Sequence, residues 1–474
     1  MKRWAISLTI TVVLLVSAIP LVSGQALTGG NNFGYMVGAS SDGSWTQVNT
    51  DGFGDPNNEW IPSMAVFKHY LYAGTWNDTT GAEVWRTRNG TTWTQVNTDG
   101  FGDANNSGVY SLAAFGNYLY AGTGYSAAGG EVWRTSNGTT WTQVNTDGFG
   151  DANNSGVFWL AVFGNYLYAG TSNWSTGGEV WRTSNGTTWT QVNTDGYGDV
   201  CNRAVSSLAV FGRHLFAGTR NNGPGCEVWR TRNGTTWTQV KSDGFGDGNN
   251  DVVRSLAVFR NRLYAGTFNG FITGGGEVWR TRNGTTWRQV NSDGFGDGNN
   301  DEVGSLTVFG TRLYAGTFNG STGGEVWRSS NGTTWTQVNT DGFGDANNCD
   351  VGSLVVFRNR LYAGTHNDSS GGEIWRSAPT HKVSRPNRPT GPSRGKKGQR
   401  LCYTTGGSKD TLGHKVQYRF NWGDGTYSAW RLSTKACHRW RKPGTYYVKA
   451  QARCAVKTGV TSRWSLVKRV RITR

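Results

Sequence analysis

Short runs in which apolar and polar residues alternate follow one another through most of this chain. Nowhere after the N-terminus is there a sustained apolar stripe at helical spacing, so the runs predict β-strands. One stretch shows the pattern. Val109–Phe115 is followed by a Gly116-Asn117 turn, Tyr118–Thr123 by a loop, Glu131–Thr135 by an Asn137-Gly138 turn, and Thr139–Val144 ends the unit. Asn-Gly between alternating runs is a strong hairpin signal, because both turn residues must accept positive φ. If Asn89-Gly90 makes a two-residue turn, Arg86 lies opposite Trp93 and can stack on it, while Trp85 points to the other face.

The unit repeats. TTWTQVNTDGFGD around Trp93 recurs, in full or with small changes, around Trp141, Trp189, Trp237, Trp287 and Trp335, with a shorter form around Trp45; the spacing is 48 residues, once 50. LYAGT or LFAGT begins at Leu71, Leu119, Leu167, Leu215, Leu263, Leu313 and Leu361, and EVWR or EIWR centres on Trp85, Trp133, Trp181, Trp229, Trp279, Trp327 and Trp375. Four antiparallel strands in such a period are the size of a propeller blade. The chain enters the repeat with a fourth-strand element, Ser44–Asn49, and leaves it with a third-strand element, Glu373–Arg376. Joining the two closes a ring and removes two sheet edges. The expected fold is therefore all-β: a seven-bladed β-propeller over residues 35–378, closed by an N-terminal strand. Residues 35–39 (YMVGA) faintly resemble a further third strand and have no place in this scheme.

The first 24 residues read as a signal peptide: Lys2 and Arg3, an apolar run from Trp4 to about Val22, then small residues at Ser23, Gly24 and Ala26. The run is also long enough for an uncleaved anchor. The expected location is secreted or cell-surface, with no later membrane span. Export permits disulfides. Cys201 lies in a connection between units and Cys226 ends a loop of the following unit on the same face, which makes them the candidate pair. The pairing of Cys349, Cys402, Cys437 and Cys454 is open. No CxxC or HExxH occurs and the six histidines are scattered, which weighs against zinc.

Charge divides the chain. Residues 379–474 hold 23 Lys and Arg against two acids, Asp410 and Asp424, within a chain of net charge +16. The remainder is mildly acidic. Residues 379–399, rich in Pro, Lys and Arg, predict an extended linker. A tail this basic fits an anionic surface polymer; nucleic acid ranks last, because export separates the chain from it.

Two loop sets share one face of such a ring. The connection between units is nearly invariant, DGFGD or DGYGD. Its acids are Asp51 and Asp55, Asp99 and Asp103, Asp147 and Asp151, Asp195 and Asp199, Asp243 and Asp247, Asp293 and Asp297, Asp341 and Asp345. They suggest calcium as the one candidate cofactor, set against simple capping of their own turns. The loop between second and third strands differs in every copy and carries Trp76, Tyr125, Trp174, Arg220, Phe268, Phe271, Phe318 and His366. Aromatic faces beside polar groups suit sugars. Six Asn-Gly-Thr tripeptides match the glycosylation sequon, but turn chemistry also explains them.

The segment TRNGTTW (Thr87–Trp93) resembles the Asp-box of sialidases and related propellers, one residue shorter and with Asn in place of Asp. In that family the box is a structural hairpin, so the resemblance implies a propeller and little about activity. The regular repeats also look like those of propeller lectins. Tyr418–Gly425 (YRFNWGDG), His438 and Pro443–Val448 (PGTYYV) resemble a PKD domain, with Trp422 in place of the Phe of its motif and Trp440 in place of a Tyr. That resemblance implies an Ig-like β-sandwich over 400–474, a spacer or adhesion unit.

Two function classes remain. One is a noncatalytic extracellular binding or adhesion protein, with a multivalent face for glycans or cell-surface proteins and no catalytic residues. The other is a sialidase-like glycoside hydrolase, which needs a unique carboxylate pair. Every acid pair visible here is repeated seven times, whereas a catalytic centre is normally unique, and this favours binding.

Overall fold

The computed structural model describes residues 44–124, 127–270, 274–379 and 381–474. The expected signal peptide, residues 35–39, Tyr125 and Phe271 lie outside them. Twenty-eight strands join one closed antiparallel sheet of repeated four-stranded units, a propeller-like all-β fold. The closing contact is the expected one: Trp45–Gln47 pairs with Ile374–Ser377, Trp45 opposite Ser377 and Gln47 opposite Trp375. Asn49 reinforces it, its Oδ1 accepting from the Ile374 amide at 2.6 Å. No described helix is long and apolar enough to cross a membrane.

The first strand of each unit lies innermost, beside the first strands of its neighbours, so these strands surround an axis. Serine hydroxyls lace them together. Ser63 Oγ donates to the Val109 carbonyl at 2.6 Å, and Ser353 Oγ to the Ile61 carbonyl at 2.7 Å, which completes the circuit. The invariant Gly of LYAGT permits this approach: a Cβ on Gly74 would stand 2.5 Å from Val109 Cγ1.

The units lock through aromatic rings. Phe53 of the DGFG turn stacks on Trp85 (4.5 Å between centroids, 3° between planes) and meets Trp93 edge-on at 5.6 Å. Both tryptophans of a hairpin thus grip one preceding turn, and do not serve opposite neighbours as the two-residue hairpin implied. The register explains the difference: Thr87, not Arg86, faces Trp93. The turn is longer because Asn89 Oδ1 accepts the amides of both Thr91 and Thr92. Arg86 lies instead 4.7 Å over Tyr70.

In the C-terminal module, strands Arg394–Lys396, Lys468–Thr473, Gly444–Cys454 and Val416–Asn421 form one sheet, and Leu401–Thr404 with Lys435–His438 form a second. They enclose Tyr403, Phe420, Trp422, Trp440, Val448 and Ile472. The segment expected as a linker is partly sheet: Arg394–Lys396 pairs with Lys468–Thr473, and Val383 bridges Asp410. A disulfide joins Cys402 to Cys437 across the two-stranded sheet. The expected Cys201–Cys226 bond is not formed; both thiols are free. Cys226 is wholly buried against Val228, Phe245 and Leu256, so its side chain is committed to the core and not to the turn holding Cys201.

Candidate functional site

The DGFGD acids cap turns. Asp51 Oδ1 accepts from Gln47 Nε2 at 2.6 Å, and the bond recurs at Asp99, Asp147, Asp195, Asp293 and Asp341. Asp243 instead accepts from Ser242 Oγ. Asp55 Oδ1 accepts the Asn57 amide and side chain, and its Oδ2 accepts Asn77 Nδ2 at 3.1 Å. Asp103, Asp151, Asp247, Asp297 and Asp345 repeat the Oδ1 arrangement, and Asp199 takes the Cys201 amide. These carboxylates face N–H or O–H donors and need no ion to account for them.

The repeat breaks at a belt around one end of the axis. The residue after each LYAGT pairs with the first belt residue of the next inner strand: Trp76 with Gly108, Gly124 with Gly156, Ser172 with Ala204, Arg220 with Val252, Phe268 with Glu302, Phe318 with Asp350 and His366 with Trp60. Five of the residues expected on the variable loops, Trp76, Arg220, Phe268, Phe318 and His366, therefore occupy equivalent places in this belt. Trp174 is off it, exposed, with the guanidinium groups of Arg203 and Arg220 4.5 and 5.1 Å from its ring centre.

The belt has two unlike arcs. On one, rings run in contact: His366 to Trp60 at 5.7 Å, Trp60 to Tyr110 at 5.9 Å, Trp76 to Tyr110 at 5.6 Å, and Tyr110 to Phe158 at 4.8 Å. On the other are Glu302, Asp350 and Arg254. Arg254 Nε donates to Glu302 Oε1 at 2.7 Å, and its guanidinium lies 5.6 Å from the Trp60 ring centre.

Asp350 is 4 % exposed, and its Oδ1 accepts no hydrogen bond among the described residues. Burial, reinforced by the Glu302 charge, pushes its carboxyl up to about 7, against the pull of Arg254 and His366. The Trp60 indole N–H lies beside this carboxylate and favours its charge, but it does not reach the geometry of a formed hydrogen bond. For His366, burial opposes the charge, yet the Asp368 carboxylate at 2.6 Å and the Cys349 sulfur raise it to about 10.

Sequence reasoning missed Trp60, Tyr110, Phe158, Arg254, Glu302 and Asp350. They occur within strands whose other positions are repeated, so motif matching passes over them. Aligning the copies column by column would have exposed them as the positions where the repeat fails. Glu302 and Asp350 also form an acid pair that does not recur, which corrects the argument that all acid pairs here are repeated. Arg254 is the arginine that contacts it.

No family model matches the chain, and no curated protein matches it. Among solved structures, the chain is similar to the PKD domain of an M14-like peptidase from Thermoplasmatales archaeon SCGC AB-540-F20, with 29% identity over 20% of this chain and 100% of that one, at a TM-score of 0.18. It is also similar to Sqt1 of Saccharomyces cerevisiae, with 13% identity over 72% of this chain and 100% of that one (TM-score 0.42), and to Raptor of Chaetomium thermophilum, with 12% identity over 71% and 29% (TM-score 0.47). These likenesses carry no argument about ligand or reaction.

Proposed function

We propose that this chain is a noncatalytic extracellular binding protein: a seven-bladed β-propeller that takes one glycan across its belt, followed by a PKD-like, Ig-like sandwich that tethers it to an anionic surface. The observation that carries the reading is the belt itself. Packing makes neighbouring positions alike in every copy, whereas the belt positions differ: rings run in contact from His366 to Phe158, and the acids Glu302 and Asp350 pair across strands with Phe268 and Phe318. A sugar would lay its apolar face on Trp60, Trp76 and Tyr110 and offer hydroxyls to Asp350, Glu302 and Arg254. A hydroxyl donated to Asp350 Oδ1 would supply the bond that this buried oxygen lacks. The space bounded by Trp60, Tyr110, Phe158, Arg254 and Gly352 is only ≈ 30 Å³, room for a hydroxyl and not for a ring, so the sugar ring lies over the mouth and one hydroxyl reaches in. This reading replaces a multivalent face with a single site. In the C-terminal module, Arg400, Arg439, Arg441 and Lys442 line one groove, which supports the tether.

The test is a glycan array probed with the full chain. Binding to a restricted set of glycans is expected, weakened about tenfold or more by Asp350→Asn, as for loss of a hydrogen bond to a charged group, and unchanged by Trp174→Ala. No retained glycan, or equal binding by the Asn variant, would overturn the reading. A second reading, glycoside hydrolysis, draws on the same pair: Asp350, its carboxyl pushed up to about 7, beside Glu302 and Arg254 resembles the two carboxyl groups that such chemistry needs. Release of free sugar from a bound glycan, lost in both Asp350→Asn and Glu302→Gln, would favour it.

A further inference from the structure

The C-terminal module brings together four side chains that are remote in sequence: His381, Asp410, His414 and Cys454. His381 Nε2 lies 2.8 Å from Asp410 Oδ2, His414 Nδ1 lies 3.6 Å from Asp410 Oδ1, and Cys454 Sγ lies 3.4 Å from His414 Nδ1. One ligand atom from each falls within 4.8 Å of all the others. Three different parts of the fold supply them. His381 follows the last strand of the ring, Asp410 and His414 precede the strand Val416–Asn421, and Cys454 ends the strand Gly444–Cys454.

The separations of His414 Nδ1 from Asp410 Oδ1 and from Cys454 Sγ have the dimensions of a tetrahedral site, while His381 approaches the other oxygen, Asp410 Oδ2. Zinc bonds of about 2.0 Å to nitrogen and oxygen and about 2.3 Å to sulfur give ligand-to-ligand edges of roughly 3.3–3.6 Å. Two of the separations match that edge. The third, between His381 and Asp410, is a hydrogen bond that would open slightly on coordination. The amides of Val456 and Lys457 both point at Cys454 Sγ, at 3.3 and 3.2 Å. Cys454 is buried beside Val383, Tyr418 and Ala452, and its sulfur also meets these two amides and His414 Nδ1. Asp410 is held by the Leu412 amide at 2.8 Å, so its orientation is set before any ion arrives.

We propose that His381, Asp410, His414 and Cys454 form a structural zinc site that fastens the segment leaving the ring to the C-terminal module. Two imidazoles and a thiolate select a borderline-soft ion over calcium or magnesium. Four protein ligands leave no open position for a reacting water, which marks the site as structural. On binding, the Cys454 proton passes to solvent and the sulfur lone pair forms the metal bond. The absence of any CxxC spacing hid the site from sequence reading, since its members are separated by 29, 4 and 40 residues.

The full chain, stripped with chelator under reducing conditions and dialysed against zinc, is expected to retain one zinc ion per chain by elemental analysis and to melt at a higher temperature than the stripped form. Cobalt(II) in place of zinc should show the intense visible bands of a tetrahedral site together with a thiolate-to-cobalt charge-transfer band. That band should vanish in Cys454→Ser and persist in Cys349→Ser. The second variant matters because Cys349 adjoins His366, itself grouped with Glu59 and Asp368. Failure of the unaltered chain to retain zinc, or to give the charge-transfer band, would overturn the proposal whatever the variants do. So would a band that survives Cys454→Ser or depends on Cys349.

Discussion

Single residues carry both the strain and the chemistry of this molecule. The aromatic residue of each DGFG turn has left-handed backbone, Phe149 at φ 59 for example, a conformation that costs a residue with a Cβ roughly 1–2 kcal/mol. Stacking offsets the cost, since Phe149 lies 4.8 Å from the Trp181 ring and 5.4 Å from that of Trp189. Phe149→Ala keeps the strain and loses the stacking, and should lower stability by about 2–3 kcal/mol. Phe149→Gly loses the stacking but relieves the strain, and should be roughly 1 kcal/mol less damaging. Denaturant melts of the two variants compare them; equal losses would show that the turn is unstrained. Asp350 allows a second test. Its folded pKa, about 7, lies above the ordinary value of 3.8, so the folded state holds the proton more tightly than the unfolded state. Its contribution is most favourable below about pH 3.8, declines as pH rises through the window to about 7, and is flat above that. Asp350→Asn should therefore gain stability relative to the unaltered chain across this window. A constant difference from pH 4 to pH 8 would contradict the assignment.

At the scale of elements, the joint between the two ends of the repeat is the critical one. Trp45–Gln47 supplies the outer strand to Ile374–Ser377, and Trp45 Nε1 also donates to the Val338 carbonyl at 2.9 Å. Removing residues up to Asn49 would bare a sheet edge. The truncated chain should aggregate or lose much of its thermal stability, read by calorimetry and light scattering; an unchanged melting curve would refute closure by this strand. The phase of the repeat made this joint legible from sequence, because Ser44–Asn49 matches a fourth strand and Glu373–Arg376 a third. The hairpin register was not legible. Asn-Gly signals a turn, but its length here is decided by Asn89 Oδ1 receiving two amides, which a dipeptide rule does not weigh. The belt was half legible: Trp76 and His366 were noticed because their loops vary, whereas Glu302 and Asp350 were passed over inside strands that otherwise repeat. The cluster around Cys454 was not legible at all, since only the folded module brings its residues together.

For the whole molecule, the division of charge sets the expected behaviour. The proposed tether rests on a strongly basic end that follows mildly acidic repeats. Full-length protein on an immobilised sulfated polysaccharide should be retained at low salt and released as salt rises, because screening shortens the reach of exposed charges to about 8 Å at physiological ionic strength. Replacing Arg439, Arg441 and Lys442 by Ala should lower the salt needed for release. Retention that is independent of salt would contradict electrostatic tethering.

The claim that joins these scales is that the unrepeated belt is one binding site on an otherwise repeated ring. Calorimetric titration of the full chain with a glycan retained on the array tests it most directly. One molecule bound per chain is expected, with affinity reduced about tenfold or more in Asp350→Asn. Several equivalent sites per chain, or a single site indifferent to Asp350, would place recognition on the repeated turns and contradict the account.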